Sequence, residues 1–125
     1  MSILSGILGN ASEIDPQQIA QEFAAILADG EKVVTAFRFV RDLFVFTNKR
    51  LILVDKQGVT GKKVEYHSVP YRSITHFAVE TAGHFDLDSE LKIWISSIEQ
   101  PIVKQMKKGS NAVEVQRTLA QFVLR

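Results

Sequence analysis

Apolar positions follow two rhythms along this chain, one helical and one extended, and the change between them divides it. Ile19, Phe23, Ile26 and Leu27 form one helical stripe. Asp15 supplies a cap for that helix, Pro16 suits its first position and Gln18 completes a capping box. The helix is expected to end near Asp29 and Gly30, where a left-handed closing residue is wanted. Upstream, Ile3, Leu4, Ile7 and Leu8 also fall at helical spacing, but Gly6 and Gly9 interrupt them, which suggests a short adhesive arm or a frayed end.

Beyond Gly30 the residues become β-branched and aromatic. Val33, Thr35, Phe37 and Phe39 share one parity of a first strand over Glu31 to Val40. Arg41 and Asp42 then turn the chain into Leu43 to Asp55, LFVFTNKRLILVD, two apolar arms around a polar centre. Neither arm alternates, so both faces of this hairpin need a cover. A two-residue turn at Asn48 and Lys49 would pair Val45 with Ile52, whereas a three-residue turn through Arg50 would pair Val45 with Leu53. Because both faces are apolar, the hydrophobic pattern leaves that register open. One face is expected in the core, and the other beneath the N-terminal helix or at a subunit contact.

Further strands are predicted over Lys62 to Ser68, Tyr71 to Thr81, the stretch holding Leu91, Ile93 and Ile95, and Pro101 to Met106. Asn111 and Glu114 then read as a second capping box, followed by a stripe of Ala112, Val115, Leu119, Phe122 and Val123. The expected class is α+β, mainly β. An N-terminal arm and helix (1–30) precede about seven antiparallel strands and a terminal amphipathic helix (31–125).

Composition narrows the classes of function. With 125 residues, one domain is the default. Fifteen basic against fourteen acidic side chains leave +1, which points away from a dedicated nucleic-acid binder. The absence of cysteine excludes thiolate chemistry, and the N-terminal stretch lacks the basic leader of a secretion signal, so a cytoplasmic location is expected.

The chain resembles the bacterial pleckstrin-homology-like family in a series of short motifs. These are Arg41-Asp42, Phe46-Thr47-Asn48-Lys49-Arg50-Leu51-Ile52, Pro70-Tyr71 with Ile74, and Glu80-Thr81-Ala82-Gly83 with Asp86 and Asp88. The resemblance runs from about Glu31 to the C-terminus. It implies a PH-like barrel of two packed sheets closed by the C-terminal helix, no established catalytic activity, and a tendency to homo-oligomers, rings among them.

Candidate sites follow from charge and spacing. Lys32, Arg38 and Arg41 occupy the region where pleckstrin-homology domains hold inositol phosphates, but Arg38 and Arg41 would point to opposite sides of an extended strand. Lys62 and Lys63, with Lys49, Arg50 and Lys56, could form a basic rim for anionic lipid or nucleic-acid phosphate, or could simply solvate strand ends, as could Lys104, Lys107 and Lys108. His84, Asp86 and Asp88 alternate, which on an extended backbone places three metal-ligand side chains on one face, without the glycine of a calcium loop. His67 and His76 read as structural, and Trp94 as sheet packing or interface. No nucleophile elbow, P-loop or dinucleotide glycine pattern occurs.

The expectation is therefore a non-enzymatic interaction or scaffold domain without cofactor or metal, which self-associates and binds an unidentified protein partner. Ile3, Leu4, Ile7, Leu8, Phe44 and Phe46 are its candidate oligomer contacts. The alternative is a module for anionic lipid or phosphoinositide using Arg38, Arg41, Lys62 and Lys63.

Overall fold

The structure, a computed structural model, describes residues 12–39, 42–57, 63–81, 83, 88–107 and 111–124. The arm residues Ile3, Leu4, Ile7 and Leu8 lie outside that set, as do Arg41, Lys62, His84 and Asp86.

Two antiparallel sheets form the body. The first has five strands in sequential order: β1 (Ser12–Ile14), β2 (Val33–Phe39), β3 (Asp42–Thr47), β4 (Arg50–Gln57) and β5 (Lys63–Pro70). A single turn of 3-10 helix, Tyr71–Ser73, leads to the second sheet, formed by β6 (Ile74–Thr81), β7 (Ser89–Ile95) and β8 (Ile102–Met106). Helices α1 (Pro16–Glu22) and α2 (Ala112–Val123) complete it. The mainly β class and the two-sheet barrel expected from sequence are what the chain adopts. β1 was not anticipated, because three residues containing one apolar side chain carry no periodic signal.

The central hairpin closes through the two-residue turn, with Phe46 opposite Leu51 and Val45 opposite Ile52. Its faces belong to two separate apolar layers. Phe44, Phe46, Leu51 and Leu53 join Phe37, Leu91 and Ile93 between the sheets, where α2 closes the barrel with Val115 and Leu119. Leu43, Val45, Ile52 and Val54 are covered on the outer side by Ile14, Ile19 and Phe23 of the N-terminal segment.

One sequence expectation is corrected here, and one open alternative is decided. Phe44 and Phe46 have 0% exposed surface inside the barrel, so neither can contact a second chain. The same-chain helix covers the other hairpin face, so of the two covers expected for it the structure takes the helix and not a subunit.

Helix α1 also ends earlier than expected. The Asp15 carboxylate accepts from the Gln17 N–H at 3.0 Å and Pro16 opens the helix, but it stops at Glu22 and continues as turns. Downstream, the Ile26 carbonyl accepts from the distant Arg50 and the Ala28 amide donates to the nearby Glu31, so these backbone groups serve side chains rather than further helical turns. Gly30 closes the segment at a φ of 77°. At α2, Asn111 makes no side-chain capping bond, so the second capping box does not form.

Candidate functional site

The polar centre of the hairpin builds the densest side-chain network in the described residues. β3 and β4 deliver Thr47 and Arg50 to the sheet's outer side, and the turn after α1 lowers Glu31 between them. The Glu31 carboxylate, with a side chain 1% exposed, accepts from Arg50 Nε at 2.8 Å, Arg50 Nη2 at 3.0 Å, the Thr47 hydroxyl at 2.6 Å and the Ala28 N–H at 2.8 Å. Arg50 further donates through Nη1 to Ser68 Oγ at 2.7 Å and through Nη2 to the Ile26 carbonyl at 2.7 Å.

Burial by itself pushes the Glu31 carboxyl up. The Arg50 and Thr47 hydrogen bonds, the Ala28 N–H and the Arg50 charge together outweigh it, and the group falls from 4.5 to about 2. Glu31 is therefore a fixed anion at neutral pH, with its acceptor capacity used inside the fold. It is not poised for proton transfer.

Asn48 and Tyr71 extend the network. Asn48 Oδ1 accepts from the Lys32 N–H at 2.7 Å, and its Nδ2 donates to the Gly30 carbonyl at 3.1 Å, tying the hairpin turn to the entry of β2. The Tyr71 hydroxyl donates to the Thr47 carbonyl at 2.6 Å, while its ring stacks on Phe122 of α2 at 4.7 Å. The FTNKR stretch thus locks both helical segments to the barrel. Glu31 escaped sequence reasoning because a carboxylate 19 residues from its partner leaves no local trace.

Beside this lock lie two clefts that share Lys49, Pro70 and Arg72 as a common wall. One, of about 290 Å³, runs past Asn48 and Tyr71 to Phe122 and Val123; the other, of about 500 Å³, reaches Ile26, Ala28 and Ser68. Arg72 was not singled out from sequence, and Lys49 only as part of a rim.

That rim does not assemble. Lys49 and Arg50 stand at one end of β4 and Lys56 near the other, about 20 Å or more away at ~3.4 Å per residue. Lys63, opposite Gln57, shares the far end. Arg38 and Lys63 fall on opposite faces of the sheet, since Arg38 aligns with Leu43, Val54 and Tyr66 whereas Lys63 aligns with Gln57 on the other parity. They are also three strands apart, about 14 Å at ~4.8 Å per strand. A phosphate cannot bridge Arg38 and Lys63. Burial lowers the Arg38 pKa, opposed by the nearby Asp42 charge.

Other sequence candidates take structural positions. Lys104 is an inter-sheet ion-pair partner, not a solvated strand end: its Nζ lies 2.8 Å from Asp42 Oδ2. His76 stacks on Trp94 at 4.3 Å on the outer face of the second sheet. Asp88 is exposed, and among the described residues no three His, Cys, Asp or Glu side chains group as a metal site. No described helix is long and apolar enough to cross a membrane.

This arrangement of a closed two-sheet barrel with a capping helix defines a pleckstrin-homology-type domain. The family model for the bacterial PH domain matches residues 2–123, and the chain belongs to that family. It is similar to the Bacillus subtilis (strain 168) proteins YjqA, with 60% identity over 96% of this chain and 97% of that one, and YozO, with 32% identity over 83% and 89%. Among solved structures, it is similar to a pleckstrin homology domain from Shewanella amazonensis SB2B, with a TM-score of 0.84 and 56% identity over 99% of this chain and 100% of the other. A DUF1696 family protein with a pleckstrin-homology domain from Shewanella loihica PV-4 gives a TM-score of 0.79 and 60% identity over 94% and 100%.

Proposed function

We propose that this chain is a non-catalytic interaction domain that self-associates into a homo-oligomer and presents a protein-binding surface. The observation that carries this reading is the free edge of β5. This strand is eight residues long and, among the described residues, pairs only with β4, so its other side offers a row of backbone donors and acceptors. Tyr66, in the middle of that strand, is 54% exposed, and an identical chain adding a strand there would cover it.

The buried polar lock supports a non-catalytic role, because Glu31, Thr47 and Arg50 are spent on one another. The separation of Arg38 from Lys63 gives the anionic-lipid alternative less support. Light scattering on the purified chain at high micromolar concentration is expected to give a mass that is a multiple of 14.0 kDa. Tyr66→Lys should shift that mass toward the monomer, and a wild-type monomer would remove the self-association reading.

A further inference from the structure

We infer that the double cleft around Lys49, Pro70 and Arg72 is a docking groove for an extended peptide segment carrying an acidic side chain beside an apolar one. This rests on reading the domain as a protein-binding module, and it names the chemistry of the partner.

Charge is the first argument. Lys49 and Arg72 are exposed, and among the described residues neither side chain has a carboxylate at ion-pair distance. The carboxylate in the cleft wall, Glu31, is 1% exposed and committed to Arg50. The accessible charge of the wall is therefore positive, which complements an anion.

The second argument is the apolar lining. Tyr71, Phe122 and Val123 line one lobe, Ile26 lines the other at 44% exposure, and Pro70 stands between. A bare phosphate would leave those walls wet, whereas an apolar side chain entering a lobe would dry them. Arg50, the guanidinium set into the wall, already donates through Nε, Nη1 and Nη2 to protein acceptors, so it keeps no free fork for phosphate.

The third argument is form. Two lobes sharing one wall suit side chains on the same face of an extended chain, which recur every second residue. Ser68 and Pro70 at the end of β5 line the larger lobe, so a peptide seated there is directed along the sheet edge.

Selection of a phage-displayed pool of random linear peptides on the immobilised full chain tests this inference. Enriched sequences should carry Asp or Glu two positions from a large apolar residue. Labelled copies should bind the Lys49→Glu/Arg72→Glu variant at least about tenfold more weakly by fluorescence anisotropy. Both replaced side chains are exposed, so an unchanged circular-dichroism melt establishes that the variant is folded.

No enrichment, enrichment without acidic residues, or equal binding to the variant would overturn the inference. Binding of phosphatidylglycerol vesicles that the variant abolishes, with no peptide enrichment, would assign the groove to a lipid surface instead. Light scattering on the same variant separates the two readings. Lost peptide binding with unchanged mass leaves self-association standing, and peptide binding by a monomer leaves the groove standing without it.

Discussion

Glu31 Oε2 stands 2.8 Å from Arg50 Nε across a sequence separation of 19 residues, and this contact pins the turn after α1 to the central hairpin. Its pH dependence has a definite sign. The folded carboxyl sits at about 2 against 4.5 ordinarily, so between those values the unfolded chain binds more protons than the folded one. The stabilisation, about 3 kcal/mol at ~1.4 kcal/mol per pKa unit, is complete above pH 4.5 and is lost as pH falls toward 2. Urea denaturation across that range should show the loss, and Glu31→Gln should flatten this contribution. The same variant should lower stability at pH 7 by about 3 kcal/mol, because it leaves Arg50 without its carboxylate.

Thr47 anchors the hairpin turn as well as Glu31. Its hydroxyl oxygen accepts from the Lys49 N–H at 3.1 Å and the Arg50 N–H at 2.9 Å. Thr47→Val keeps the shape and removes the hydroxyl's contacts with Glu31 and the turn, so a cost of about 2 kcal/mol is expected in denaturant unfolding. An unchanged midpoint would show that water replaces the hydroxyl.

The Tyr71 hydroxyl and ring contribute separately. Tyr71→Phe should cost about 1 to 2 kcal/mol through the unsatisfied Thr47 carbonyl, whereas Tyr71→Ala should cost about 3 to 5 kcal/mol by also unstacking Phe122. Parallel melts of the two variants test that order.

Lys104 and Asp42 join the second sheet to the first at 2.8 Å, with side chains 16% and 19% exposed. A double-mutant cycle of Lys104→Met and Asp42→Asn should give a coupling of about 1 to 2 kcal/mol, reduced by salt. Additive single-mutant effects would mean that solvent screens the pair fully.

The two hairpin faces are both cores, and truncation should show it. Phe46→Ala, inside the barrel, is expected to cost about 3 to 5 kcal/mol, and Val45→Ala, beneath α1, about 2 kcal/mol. If Val45→Ala were neutral, α1 would not be a firm cover.

Much of the architecture was legible in the chain because periodicity is local. The parity of Phe37 and Phe39, the apolar hairpin arms and the stripe ending in Phe122 and Val123 mark strands and a capping helix without reference to distant residues. The early end of α1 was not legible, since the Ile26 carbonyl is claimed by Arg50, 24 residues away, and the Ala28 amide by Glu31, which that same arginine holds in place. Lys104 misled for the same reason, its partner Asp42 lying 62 residues away.

By itself, then, the sequence determined the order of elements from α1 onward, the PH-like class and the two apolar faces of the hairpin, because side-chain spacing sets which faces must be buried. Tertiary structure decided the rest. It chose the Val45 to Ile52 register, put the chain's own helix over the outer face, and split the expected basic rim between opposite ends and faces of a sheet. It also gathered Lys49, Pro70 and Arg72 around one pair of clefts, because residues contributed by the hairpin turn, the end of β5 and the following 3-10 turn meet only once the strands have paired.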